Sequence, residues 1–154
     1  MRVRHPLAVG SVLALALACG TEERSPLAEV AAASLHDSEM SSAIPIFNVS
    51  SLRASQRYYR DVLGFGVDWE DGDPPDFGSV SRGHAVVFLC QGCQGHPGAW
   101  IMVFTKDVDG LHDEFVDKGA IVKRPPTDMP WRLREMLVED PDGNTIRFAG
   151  RIEH

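Results

Sequence analysis

The chain has no run of about 18 apolar residues, no long stretch of basic side chains and only 3 cysteines in 154 residues. The first absence excludes a multi-pass helical membrane protein, because a helix needs about 20 apolar residues to cross the hydrocarbon core. The second counts against nucleic acid as a partner. With 15 Lys and Arg against 22 Asp and Glu, the formal charge is −7, the wrong sign for neutralising phosphates. No Gly-x-Ser-x-Gly, His-Glu-x-x-His, P-loop or dinucleotide fingerprint occurs, so hydrolase and nucleotide chemistry have no motif behind them. What is present is a globular balance, 44% apolar and 24% charged, in a length that suits one domain with an added tail.

The tail comes first. Arg2 and Arg4 precede an apolar run from Leu7 to Ala18, a positive n-region followed by an h-region too short to span a bilayer. The run ends Ala16-Leu17-Ala18-Cys19-Gly20, which resembles a bacterial lipoprotein signal, where small residues precede a cysteine that is lipidated after export. Residues 1–18 are therefore expected to be a signal peptide and Cys19 the lipidation site. The protein is then exported and anchored to a membrane by lipid, on its periplasmic or outer face. The alternative is a plain secretory signal cleaved after a small residue, with Cys19 incidental. Residues 19–42 are rich in Ala, Ser and Glu with little hydrophobic periodicity, and read as a flexible tether.

Residues 43–154 hold the domain, and its pattern is written twice. Ile44 to Val49 is strand-like; Ser50-Ser51 offers a helix N-cap, and Leu52, Tyr59, Val62 and Leu63 recur at helical spacing until Gly64. Gly64–Glu70, Phe77–Arg82 and His84–Cys90 read as strands, with Asp71-Gly-Asp-Pro-Pro-Asp76 as a turn. The order then repeats. Ala99–Phe104 is a strand, and Asp107 caps a helix carrying Val108, Leu111, Phe115 and Val116 that Gly119 closes. Ala120–Lys123, Arg132–Glu139 and Asn144–Ala149 follow as strands, with Pro-Pro-Thr-Asp128 and Asp140-Pro-Asp-Gly143 as turns. Two tandem βαβββ modules in an α+β fold are predicted, their open sheets forming a cleft.

Four local words carry a family likeness: Val49-Ser-Ser-Leu52 leading to Tyr58-Tyr-Arg-Asp-Val-Leu-Gly-Phe65, Asp107-Val-Asp-Gly-Leu111, Pro130-Trp-Arg-Leu-Arg-Glu135 and Glu139-Asp-Pro-Asp-Gly-Asn144. In this order they resemble the vicinal oxygen chelate superfamily, and within it the glyoxalase and bleomycin-resistance branch. The resemblance covers nearly all of residues 43–150. Metal-using members project four ligands into the cleft from equivalent strands. Counted from the helix stops and the Asp-Pro-Asp-Gly turn, those positions fall near Ile44, Phe88, Trp100 and Arg147. None has a side chain that coordinates a divalent ion, and Arg147 adds a fixed positive charge. The resemblance therefore implies no metal cofactor and points to a binder rather than an enzyme. The alternatives are a metal-dependent glyoxalase or dioxygenase with ligands elsewhere, and an interaction module that has lost its ligand.

Strand alternation separates two faces. Phe47, Val49, Val87, Leu89, Ile101, Val103, Ile146 and Phe148 form an apolar set suited to packing under helices. The opposite parity carries Ile46, Asn48, Phe88, Trp100, Met102, Phe104 and Arg147, aromatic and apolar with few polar groups, as in a ligand pocket or a dimer interface. Bleomycin-resistance proteins bind a cationic, flat-ringed ligand between two subunits, using stacking and acidic surface. On that resemblance the candidate ligand-binding residues are Trp69, Phe88, Trp100, Met102, Trp131, Glu135 and Arg147, in a homodimer sequestering an aromatic or cationic small molecule. Trp69 lies beside Asp68, Glu70, Asp71 and Asp73, which equally read as a solvated hairpin. Cys90-Gln-Gly-Cys93 reads as two thiols or a local disulfide, ahead of half a zinc site with His84 or His112, or a redox pair.

Overall fold

The computed structural model describes residues 42–152; the expected signal peptide, Cys19 and the tether up to residue 41 lie outside the described residues. The order is β1 (Ile46–Val49), α1 (Leu52–Asp61), β2 (Gly66–Gly72), β3 (Pro75–Arg82) and β4 (Ala85–Gln91). It repeats as β5 (Trp100–Phe104), α2 (Val108–Asp117), β6 (Ile121–Asp128), β7 (Leu133–Glu139) and β8 (Thr145–Arg151). Each module makes one four-stranded sheet with the same topology, β1-β4-β3-β2 and β5-β8-β7-β6. In both, the first strand pairs parallel with the last and the other pairings are antiparallel. The predicted α+β pair of βαβββ modules is thus the fold.

Both helices start where their capping residues predict. The Ser51 side chain accepts from Ala54 N–H, and Asp107 Oδ1 accepts from Gly110 N–H at 2.8 Å. After α1 the chain passes through Gly64 at φ 69°, a left-handed turn that leads it back into β2. One core spans both modules: Leu52, Tyr59 and Leu63 from the α1 region meet Phe47, Val87 and Leu89, and continue through Val108, Phe115, Met136 and Phe148. The parity assigned to packing under helices is accordingly buried or half-buried.

The turn Asp140–Asn144 ties the modules together. Asn144 Nδ2 donates to the Asn48 carbonyl at 3.1 Å, and the Asp142 carboxylate accepts from Ser50 N–H and the Ser55 hydroxyl. Tyr59 reaches across to donate to Asp140 at 3.2 Å. A second tie is Arg82 in β3, which donates to the Leu63 carbonyl and to both Glu114 oxygens in α2.

Several segments differ from their sequence reading. Of the expected turn from Asp71 to Asp76, Asp71 and Gly72 end β2 and Pro75 and Asp76 begin β3, so only Asp73 and Pro74 connect the strands. Pro125-Pro126-Thr-Asp128 was expected as a turn after a strand ending at Lys123, but β6 runs on to Asp128. The register with β7 breaks between Arg124 and Thr127, which carries the two prolines past without requiring their missing N–H groups. β6 is an edge strand, the place in a sheet where proline is tolerated. The expected strand at 132–139 begins one residue later, because Arg132 takes φ 65° in the turn before it.

Candidate functional site

The two sheets treat their outward faces differently. On the first sheet, register places Phe77, Ser79 and Phe88 on one face, and Trp69 joins them. The rings of Trp69 and Phe88 meet edge to face at 5.0 Å, and Phe77 lies 5.6–5.7 Å from each. Phe88 is buried and Trp69 and Phe77 are half-buried, so this aromatic cluster is largely closed on itself. The acids beside Trp69 are engaged as well. Asp68 accepts from the Ser79 and Ser81 hydroxyls at 2.8 and 2.7 Å, and Glu70 faces Arg53 at 3.5 Å.

On the second sheet the corresponding face is open. Trp100, Met102 and Phe104 alternate along β5 and are 57%, 41% and 70% exposed, and Trp131 in the turn before β7 is 55% exposed. Cross-strand register sets Met102 beside Arg147 and Arg147 beside Leu137. These groups are linked into one array through Glu135, which has no exposed surface. The Trp131 indole Nε1 donates to Glu135 Oε1 at 2.7 Å, and Arg124 Nη2 donates to Oε2 at 3.1 Å. Arg147 Nε stands 3.7 Å from Oε2, and its guanidinium lies 5.8 Å from the centre of the Trp100 ring, within cation–π range.

Five of the seven predicted residues therefore share one face: Trp100, Met102, Trp131, Glu135 and Arg147. Trp69 and Phe88 belong to the other sheet. Sequence reasoning missed Arg124, because the strand that carries it was ended at Lys123. Plain alternation from Ile121 would set Arg124 on the opposite face; the bulge between Val122 and Arg124 reverses the parity, and nothing local marks it. A groove of about 790 Å³ opens beside the start of β4 and the end of β5, between Ile44, Arg82, His84 and Val86 on one side and Met102 and Phe104 on the other. Of the seven residues, Met102 lines it.

A divalent metal does not suit the family positions in this chain. Ile44, Phe88 and Trp100 offer no donor atom, and Arg147 presents a cation at the fourth. Among the described residues, no three His, Cys, Asp or Glu side chains converge. Cys90 and Cys93 are disulfide-paired, with Cα atoms 5.6 Å apart, in a loop where Gly92 and Gly95 both take positive φ. Gln94 N–H donates to Cys90 Sγ at 3.2 Å. His84 is exposed at the groove, and His112 lies 3.4 Å from Asp113 on α2.

Comparison with known proteins places this geometry. Among solved structures, the bleomycin-binding protein from bleomycin-producing Streptomyces verticillus, complexed with copper(II)-bleomycin, superposes with a TM-score of 0.60 at 25% identity. The match covers 75% of this chain and 98% of that one. TnmS3, an antibiotic binding protein from Streptomyces sp. CB03234, gives a TM-score of 0.60 at 22% identity, over 73% of this chain and 98% of that one. TioX from Micromonospora sp. ML1 gives 0.62 at 20% identity, over 72% and 100%. The last two show the shared fold. Against curated protein sequences the chain has no match. The signature of one family covers residues 43–148, from the strand that opens the first module almost to the end of the last strand of the second: the chain belongs to the Glyoxalase/Bleomycin resistance protein/Dioxygenase superfamily.

Proposed function

We propose that this protein binds and sequesters an aromatic small molecule, without a metal, on the open face of its second sheet. The observation that carries the reading is the array Trp100–Arg147–Glu135–Trp131, two exposed indoles held on either side of a buried, hydrogen-bonded carboxylate. Exposed aromatic side chains on an ordered sheet gain most when a flat apolar surface covers them. The anchored carboxylate fixes the Trp131 ring in advance, so little side-chain entropy is lost on binding. The relative complexed with copper(II)-bleomycin supports a small-molecule ligand. Of the two ligand classes expected, the aromatic one suits this face; the cationic one rested on the acids around Trp69, where Asp68 and Glu70 are already engaged.

The proposal places the protein outside the cytoplasm, as a homodimer anchored through Cys19. The support for export is the Arg2/Arg4 and Leu7–Ala18 pattern, and for a dimer the free edge of β5, along which a second copy can pair. Replacing Cys19 with Ser should move the protein from the membrane fraction to the soluble one; unchanged fractionation would remove the anchor.

The deciding experiment is a calorimetric titration of the full chain with metal-free bleomycin in the presence of a chelator. Saturable binding near one ligand per subunit is expected, carried by the flat rings rather than by the charge, and weakened about tenfold or more in Trp100→Ala and Trp131→Ala, the usual cost of losing a stacking ring. A flat titration removes bleomycin as the ligand. Binding that both substitutions leave unchanged, in folded protein, removes this face as the site.

A further inference from the structure

On the reading that the open face of the second sheet binds an aromatic ligand, the geometry points to the charge of that ligand. We infer that it is a planar aromatic anion, a ring system bearing a carboxylate or comparable oxyanion. Its ring lies against Trp100 and Trp131, and its acid group is held by Arg147 and Arg124.

The protein as a whole is acidic, yet this face is not. Its one buried carboxylate among the described residues, Glu135, is shared by two guanidiniums, Arg124 at 3.1 Å and Arg147 at 3.7 Å. The neighbouring acid on β7, Glu139, is already paired with Lys123 at 3.3 Å. At the end of the same face, Arg151 stands opposite Leu133 in register. With Lys106 and Phe104 it borders a second hollow of about 710 Å³. Neither Arg151 nor Lys106 has an ion-pair partner among the described residues. Four cations therefore stand around one carboxylate that is itself already engaged.

The donors on those cations are also unspent. Arg147 is too far from Glu135 for a hydrogen bond, so its N–H fork is open, with about a third of the side chain exposed (35%). Arg124 uses Nη2 on Glu135 and leaves a buried Nε without an acceptor. A guanidinium fork in this state matches the two oxygens of a carboxylate, and binding one would satisfy donors that water reaches poorly. A cationic ligand would gain only the indole faces here, because Glu135 is already flanked by two arginines. The net −7 of the chain does not reverse this, since charges more than a Debye length of about 10 Å away are screened.

The test is a charge series on one ring, titrated into the full chain and read by tryptophan fluorescence and calorimetry. The probes are naphthalene-2-carboxylate, naphthalene-2-carboxamide and naphthalen-2-ylmethylammonium. The carboxylate should bind about tenfold or more tighter than the carboxamide, the factor expected of a charge-assisted bidentate contact, with the ammonium weakest. Raising the salt should weaken the carboxylate alone. In Arg147→Gln the advantage of the carboxylate over the carboxamide should fall most of the way to none, and Arg147→Lys should retain part of it. A carboxamide or ammonium that binds as tightly as the carboxylate overturns the anion while leaving an aromatic site in place. If none of the three binds and bleomycin also gives a flat titration, the aromatic reading fails with it.

Discussion

Trp131 and Glu135, four residues apart, are joined by a 2.7 Å hydrogen bond from the indole N–H to a carboxylate with no exposed surface. The ring is held over the turn into β7 by a charge that lies beneath the face, and that charge is also the counter-ion of Arg124. In Glu135→Gln the amide oxygen can still accept from Trp131, but the arginines lose their compensation. A stability loss of about 2 kcal/mol is expected in urea unfolding at neutral pH, below the range for a fully buried pair because both arginines keep a third of their surface in water. The same substitution should tighten naphthalene-2-carboxylate binding by about threefold, since one opposing charge has gone from the face.

Acid sensitivity should be concentrated at the tie between the modules. Glu114 is held down to about 2 by hydrogen bonds from Arg82 and then Lys118, against an ordinary value of 4.5. Its folded value lies below its unfolded one, so the stabilisation is complete above about pH 5 and is lost as pH falls toward 2. Glu114→Gln should flatten that limb of the stability profile. At neutral pH it should cost about 1 kcal/mol or less, because both partners are a third exposed and screened by solvent. A thermal unfolding series between pH 2 and 7 reads both effects; an unchanged acid limb in the variant would place the sensitivity elsewhere.

Asp140 acts in the opposite sense. Burial pushes its carboxyl above the ordinary value, although Asn144 and Asp142 donate to it. Its own titration therefore favours the folded state at low pH, and that advantage fades as pH rises through the folded value. Its structural role outweighs this. It accepts from Asp142 N–H, from Asn144 N–H and Nδ2, and from the Tyr59 hydroxyl, so Asp140→Ala leaves up to four donors without a partner. A loss of about 3 kcal/mol or more is expected in urea unfolding. A loss below about 1 kcal/mol would mean that water replaces the carboxylate at all four donors.

Much of this was legible in the residues. The repeated order of elements followed from capping residues, glycine stops and alternation, and Ser51, Asp107 and Gly64 do in the structure what those residue types do locally. Asp140-Pro-Asp-Gly-Asn144 could be recognised as a turn, but its work in binding β1 and the start of α1 could not. Asn48, Ser50 and Ser55 lie about 90 residues away and nothing local marks them. Alternation also assigned Phe88 and Trp100 to the same kind of face. Whether such a face is open depends on neighbours across the sheet: Trp69 and Phe77 close it over Phe88, and among the described residues no pair of rings does so over Trp100. Arg124 escaped notice because two prolines signal a turn more strongly than they signal a bulged edge strand.

Those prolines bear on how copies of this chain can associate. An edge strand offers a row of free N–H and C=O groups to any passing strand, but Pro125 and Pro126 remove two donors from the middle of β6 and break its register. The second sheet can then be lengthened only from its other side, along β5. When two molecules meet there, each spends its one competent edge on the other, and no third molecule finds a place to add. Sheet-to-sheet association through this module would therefore stop at a two-fold pair rather than grow along the exposed Trp100, Met102 and Phe104.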